Sequence, residues 1–71
     1  MISFGEWVRR TRRAKKITQV YIAVKAGIDL GALQDIELGR RSPKLFMAEC
    51  ITQTLGYELW EALRACKDTP K

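Results

Sequence analysis

Residues 18–39 read TQVYIAVKAGIDLGALQDIELG, and their order predicts two short helices joined by a tight turn. Thr18 is a suitable N-cap because its hydroxyl accepts a hydrogen bond from a free backbone N–H group one turn on. Gly27 stands where the first helix should end with a residue at positive φ. Asp29 is placed to cap the second helix, and Gly39 to close it. This arrangement is the sequence pattern of a helix-turn-helix.

Apolar residues of this stretch recur at helical spacing, so each helix has an inward face. They are Ile22, Ala23 and Ala26 in the first helix, and Leu33 and Ile36 in the second. Between the two helices, Ile28 is expected in the core. Ala23 and Gly27 are small, which suits two helices that meet at a steep angle and approach closely.

A further helix is predicted before the motif, from Ser3 to about Lys16. Ser3 and Glu6 fit a capping box at its start. The residues of its inner face, at i, i+4 and i+7, are Phe4, Val8 and Thr11. The same helix holds six cations within eight residues: Arg9, Arg10, Arg12, Arg13, Lys15 and Lys16. Two interpretations of these cations stay open, a solvated helix face and a patch that faces phosphate groups.

Two helices are predicted after the motif. Ser42 is expected to cap the first of them, with Pro43 at its first helical position and Gly56 at its end. Its inward stripe comprises Leu45, Ala48, Ile51, Thr52 and Leu55. The last helix follows Tyr57 and Glu58 and is expected to turn Leu59 and Leu63 inward. Five short helices in all predict a compact all-α domain.

An ordered set of residues carries a resemblance to a known family. The set comprises Thr18-Gln19, Ala23, Ala26-Gly27-Ile28, Leu33, Ile36-Glu37, Gly39, Arg41-Ser42-Pro43 and Leu55-Gly56. With these residues the chain resembles the Cro/CI-type (Xre) helix-turn-helix family of bacterial and phage regulators, without gaps from about Phe4 to Leu63. The resemblance implies a five-helix, lambda-repressor-like DNA-binding domain and a small transcriptional regulator.

Length and charge narrow the possible functions. Seventy-one residues make one domain, expected over residues 1–67 with a frayed polar tail at 68–71. Thirteen lysines and arginines against eight acidic residues give a net charge of +5. This excess of positive charge favours an acidic partner, nucleic acid first.

Membrane and enzyme functions find little support in the sequence. The longest uninterrupted apolar run, residues 20–24, is far too short to cross a bilayer, and the N-terminal MISFGEWVRR lacks the apolar core of a signal peptide. A cytoplasmic protein is therefore expected, with Cys50 and Cys66 as reduced thiols. The sequence has no histidine, no glycine-rich phosphate loop, no metal-ligand spacing and no nucleophile beside a plausible base. We expect no catalytic residue, no metal and no cofactor.

The resemblance also implies which residues read bases, which contact phosphates and which form a structural ion pair. The second helix of the motif enters the major groove in this family, and the residues at its base-reading positions are Leu30, Gly31, Gln34 and Asp35. The candidates for phosphate contacts are Gln19, Arg40, Arg41 and Lys44. Arg12 and Glu37 match a partly buried ion pair that ties the first helix to the recognition helix. From Asp29 to Glu37 the recognition helix has three acids and no base, so it is poor in hydrogen-bond donors.

Surplus apolar residues indicate two protein-binding surfaces. Phe46, Cys50 and Trp60 are expected on outer faces of the last two helices and indicate a homodimer on a two-fold operator. A second group lies at positions that are usually polar in the family or at the start of the recognition helix: Trp7, Val20, Tyr21, Val24 and Leu30. It fits either a locally enlarged core under Trp7 or a surface that binds another transcription factor. In the second case the protein is a degenerate helix-turn-helix antiactivator with little or no DNA binding.

Overall fold

The computed structural model describes residues 2–66, and these form the expected all-α domain. The helices within this range are α1 (Phe4–Ala14), α2 (Gln19–Ala26), α3 (Leu30–Glu37), α4 (Leu45–Thr54) and α5 (Leu59–Arg64). Helix α1 packs against α3 and α5, α2 packs against α3 and α4, and α4 packs against α5. None of these helices is long and apolar enough to span a bilayer. The expected tail at 68–71 lies outside the described residues.

The core lies at the centre of the five helices and receives residues from each of them. Its fully or almost fully buried side chains include Phe4, Val8, Ile22, Leu33, Ile36, Ala48, Ile51, Leu55 and Ala62. The prediction for α5 is confirmed for Leu59, which is partly buried and packs against the core. Ala62 is completely buried and Leu63 is half-buried.

Helix α1 begins as predicted and ends earlier. The Ser3 Oγ accepts a hydrogen bond from the Glu6 N–H group at 3.1 Å. The Glu6 carboxylate pairs with Arg10 one turn on, which replaces the reciprocal bond of a capping box. The helix stops at Ala14, because Lys16 adopts a left-handed backbone conformation with φ 58° and turns the chain toward α2.

The turn between α2 and α3 follows the predicted pattern with two corrections. The Thr18 Oγ1 accepts a hydrogen bond from the Tyr21 N–H group at 3.1 Å, and Gly27 ends α2 with φ 72°. A Cβ atom on Gly27 would meet no atom within 4 Å, so glycine is required there for its backbone conformation and not for close packing. Asp29 is the N-cap residue of α3, but its side chain makes no capping hydrogen bond.

The closest approach between helices lies elsewhere, where α1 crosses α3. A Cβ atom on Gly5 would overlap the carbonyl oxygen of Ile36, so only glycine leaves room for the two backbones. Sequence reasoning did not single out this position, because the residue that it meets is 31 positions further along the chain.

The start of α4 differs from the prediction. Lys44, with ψ 158°, is the N-cap residue, its side chain makes no capping bond, and the helix begins only at Leu45. Ser42 is therefore not the cap, and Pro43 is not the first helical residue. The extended segment buries Pro43 before the helix starts. Leu45, as the first residue of the helix, is consequently left exposed instead of joining the inward stripe.

Candidate nucleic-acid interface

A buried ion pair joins α1 to the end of α3. The Arg12 Nε donates to Glu37 Oε2 at 2.9 Å, and its Nη2 donates to Glu37 Oε1 at 3.0 Å. The Arg12 side chain is 13% exposed and that of Glu37 only 3%. A third bond, from Arg12 Nη1 to the Ile17 carbonyl at 3.1 Å, holds the segment that links α1 to α2. One guanidinium group on α1 therefore binds Glu37 of α3 in a planar, bidentate geometry and also holds the segment that leads to α2.

Two glutamines extend this pair to the protein surface. The Gln19 Nε2 donates to Glu37 Oε1 at 3.1 Å, and Gln34 Nε2 donates to Gln19 Oε1 at 3.4 Å. The chain of contacts, from Arg12 through Glu37 and Gln19 to Gln34, is called the polar relay below. Gln19 thus braces α3 at the position where the resemblance places a phosphate contact.

The outer face of α3 carries the predicted base-reading residues, although they differ in exposure. Leu30, Gly31 and Gln34 are exposed, whereas Asp35 is half-buried. Backbone groups also engage Asp35, because its carbonyl oxygen accepts hydrogen bonds from the N–H groups of Arg40 at 2.8 Å and Arg41 at 3.3 Å. The exposed part of α3 is therefore its first turn together with Gln34.

The loop after α3 holds exposed cations. Its two hydrogen bonds to Asp35 fix the backbone of Arg40 and Arg41 immediately beyond the end of α3, and both side chains are exposed. Lys44 is also exposed, at the start of α4. Cations close to the C-terminal end of a helix are favoured by its dipole.

A groove between α1 and α3 adds two cations that the sequence analysis did not separate from their neighbours. Its lining residues are Arg9, Arg13, Gln19, Gln34, Glu37 and Leu38. The groove therefore brings two guanidinium-bearing residues of α1 next to the exposed end of the polar relay. The run of six cations at residues 9–16 pointed to this surface, but the run alone could not show which of them lie beside α3.

The acidic residues of α3 oppose anion binding less than their number suggests. The Glu37 charge is compensated by Arg12 within a bidentate pair. Asp29 lies at the N-terminal end of α3, where the helix dipole favours a negative charge. Asp35 is the remaining acid; it is half-buried, and its carbonyl oxygen accepts hydrogen bonds from the N–H groups of Arg40 and Arg41.

The apolar residues at usually polar positions separate into two groups. The Trp7 ring stacks on Phe4 with 6.1 Å between ring centroids and meets the Tyr57 ring edge-on at 5.4 Å. An enlarged core therefore explains Trp7. It does not explain the residues of α2, because Val20, Tyr21 and Val24 are exposed, with Val24 72% accessible.

The three dimer candidates also differ in their surroundings. Phe46 on α4 is 74% exposed and Trp60 on α5 is 58% exposed. Cys50 is a free, half-buried thiol that lines a shallow groove together with Tyr21 and Lys25 of α2. Cys50 thus lies beside the α2 surface that forms the alternative protein-binding face.

Comparison with known proteins identifies the family. A family model described as helix-turn-helix matches residues 8–59, which include the motif and the whole polar relay. The chain belongs to the Cro/CI-type (Xre) helix-turn-helix family. This family consists of transcriptional regulators and not of enzymes.

Individual relatives agree with this assignment. The immunity repressor protein of Bacillus phage phi105 is 33% identical over 58 residues, which are 82% of this chain and 40% of the repressor. The chain thus spans less than half the length of that relative. The crystal structure of the restriction-modification controller protein C.AhdI from Aeromonas hydrophila superposes with a TM-score of 0.79 at 29% identity, and covers 83% of this chain and 89% of C.AhdI. The clp gene regulator ClgR from Corynebacterium glutamicum has the same fold, with a TM-score of 0.82 at 23% identity over 86% of this chain and 65% of ClgR.

Proposed function

We propose that this protein regulates transcription by binding double-stranded operator DNA, with α3 in the major groove. The observation that carries the proposal is the surface around the polar relay. It presents the exposed residues of α3 beside cations from α1 and from the loop that follows α3. A short, exposed helix among cations suits the width of the major groove between two phosphate backbones.

Each base-reading candidate of α3 has a role in this complex that follows from its chemistry. Gln34 bonds an adenine edge through its amide, and Leu30 contacts a thymine methyl group. Gly31 has no side chain and offers its backbone to the DNA. Asp35 accepts a hydrogen bond from a cytosine amino group.

The basic residues hold the DNA backbone without reading its sequence. Arg40, Arg41 and Lys44 bind phosphate oxygens from the loop and the start of α4. Gln19 donates to a phosphate through the N–H of its amide that Glu37 does not occupy. Most of the affinity then comes from phosphate contacts, and it falls steeply as the salt concentration rises.

We further propose that the protein acts as a symmetric homodimer. Phe46 and Trp60 expose large apolar side chains on the two helices farthest along the described chain, and a domain of this size gains stability from association. Two copies of α3 then read half-sites one helical turn apart, about 10 base pairs. Sedimentation at high micromolar concentration tests this, and a protein that remains monomeric there contradicts it.

The test of DNA binding is an electrophoretic shift assay with the DNA that flanks the protein's own gene. We expect the wild type to shift this DNA at low salt. Arg41→Ala should weaken binding to every sequence, whereas Gln34→Ala should relax preference at one base pair by ~1–3 kcal/mol. Arg10→Ala is the matched control for the loss of charge, because Arg10 is paired with Glu6.

A second function is favoured by one specific observation, the exposure of Val20, Tyr21 and Val24 along α2. An exposed apolar stripe of this kind suits an antiactivator that binds and blocks another transcription factor. An assay of regulation in cells with the Val24→Ser and Arg41→Ala variants distinguishes the two functions. Loss with Arg41→Ala alone supports DNA binding. Loss with Val24→Ser alone, together with no shift of any candidate operator at low salt, would replace the DNA-binding proposal by the antiactivator.

A further inference from the structure

The structure separates the cations of α1 by what they contact. Arg10 pairs with Glu6, and Arg12 forms the buried pair with Glu37. The Lys15 ammonium lies over the Tyr57 ring, 5.1 Å from its centroid. Within residues 2–66, the side chains of Arg9 and Arg13 form neither a hydrogen bond nor an ion pair. The two arginines are one helical turn apart, so their like charges disfavour the helix unless an anion binds them.

The close approach at Gly5 determines where these two arginines lie. Gly5 touches the α3 backbone at Ile36, and Arg9 and Arg13 follow Gly5 by four and eight residues. Residues at this spacing share one face of a helix. Both arginines therefore run alongside α3, where they line the groove that also contains Gln34 and Leu38.

We propose that Arg9 and Arg13 form a second phosphate-binding edge, which holds a DNA backbone beside the base-reading end of α3. This inference rests on the proposed function. Guanidinium groups bind phosphate oxygens through two parallel N–H bonds, so both arginines suit successive phosphates. Among the lining residues that the structure describes, Glu37 alone is acidic, and Arg12 already compensates its charge. The groove therefore attracts an anion at the place where Gln34 faces a base.

An acidic protein surface is the other possible occupant, and the position of the groove favours DNA over it. The exposed apolar residues of α2, which a protein partner would bury, do not line this groove. The residues that do line it include Gln19 and Gln34, whose amides donate to phosphates and base edges.

The experiment measures binding to a mixed-sequence duplex of about 20 base pairs, long enough for two half-sites. Affinity is determined between about 50 and 200 mM salt for the wild type, Arg9→Gln, Arg13→Gln and the double variant. Arg10→Gln is the matched control, because it removes the same charge from the same helix outside the groove. Circular dichroism melting checks that each variant is folded.

We expect Arg9→Gln and Arg13→Gln each to reduce the salt slope by about one. The ratio of wild-type to variant affinity should then fall about threefold across this salt range for each single variant, and about tenfold for the double variant. Arg13→Lys should retain the wild-type slope because it retains the charge. Arg10→Gln should change the slope by less than half as much as the groove variants.

Two outcomes would overturn the inference. Equal losses in Arg9→Gln, Arg13→Gln and Arg10→Gln would mean that the net charge of α1 matters and the groove does not. Wild-type slopes in both groove variants would mean that neither arginine contacts phosphate. Failure of the proposed function is a different result, because the wild type itself would then not bind the duplex at low salt.

Discussion

The segment from α1 to α3 and the hairpin of α4 and α5 are held by different kinds of contact. In the first segment, side-chain hydrogen bonds join residues 15, 18 and 25 positions apart, and the latter two end on the buried Glu37. In the hairpin, within residues 45–64, side-chain hydrogen bonds join residues at most four positions apart. There the helices meet through apolar residues such as Ala48, Ile51 and Ala62.

The two parts of the chain are therefore constrained in different ways. A bidentate pair with two glutamines attached has one geometry, so it fixes α3 relative to α1 in position and in rotation. Apolar contacts set how closely α4 and α5 lie, and they tolerate changes of residue that conserve volume. The part of the molecule that carries the proposed base-reading side chains is thus the part with directional contacts.

The largest effect is expected for Glu37→Ala, which removes the centre of the polar relay. Arg12 would keep an uncompensated charge in a nearly dry site, at a cost of about 3–5 kcal/mol in the free energy of unfolding. Urea denaturation measures this loss. Glu6→Ala is the control, because it breaks the more exposed pair with Arg10 and should cost no more than about 1 kcal/mol. A loss below about 1 kcal/mol in Glu37→Ala would show that the pair is not buried.

The next effect tests the close approach of α1 and α3. Gly5→Ala places a methyl group against the Ile36 carbonyl, so we expect a loss of about 1–3 kcal/mol in the free energy of unfolding. Gly31→Ala is the matched control on α3, where an added Cβ meets no atom within 4 Å. It should stabilise the helix, by about 0.4–1 kcal/mol. Effects of the same sign in both variants would contradict a specific contact at Gly5.

A third prediction concerns the apolar surface of the hairpin. Trp60→Ala should weaken self-association by more than about 1 kcal/mol, because buried tryptophans commonly dominate such interfaces. The unfolding of the isolated protomer should change little, since the side chain is 58% exposed. Sedimentation equilibrium measures the dissociation constant. Val24→Ala, which shortens a more exposed apolar side chain on α2, should leave that constant unchanged if the interface lies on the hairpin.

The smallest effect compares the starts of α2 and α4. Thr18→Ala removes an observed capping bond and should cost about 1 kcal/mol in the free energy of unfolding. Ser42→Ala should cost almost nothing, because α4 begins at Leu45 with Lys44 as its N-cap residue. Chemical denaturation of the two variants side by side measures the difference. Comparable losses would mean that Ser42 caps the helix in solution.

The sequence was most informative about features that depend on near neighbours. The cap at Thr18, the end of α2 at Gly27 and the apolar spacing of α2 and α3 all arise from contacts within one or two helical turns, and the structure agrees with each of them. The start of α4 was misplaced, because Pro43 is buried in the segment before the helix and does not take its locally preferred first helical position.

The candidate site was less predictable because its parts come from distant positions. The order of residues did not reveal that Gly5 meets Ile36, and this contact decides which cations of α1 flank α3. It also did not show that Gln19 bonds both Glu37 and Gln34. Both facts depend on how α1 and α2 cross α3, which no local pattern encodes.

The bond from Arg12 to the Ile17 carbonyl has a consequence for the thermodynamics of binding. This bond ties the segment between α1 and α2 to the side chain that also holds α3, so the three helices and their connection form a preorganised unit. Ordering of loops and side chains on association ordinarily consumes part of the interaction free energy. In this chain the three helices and their connection are already held together before a partner binds, so the proposed DNA contacts of α3 lose less free energy to ordering.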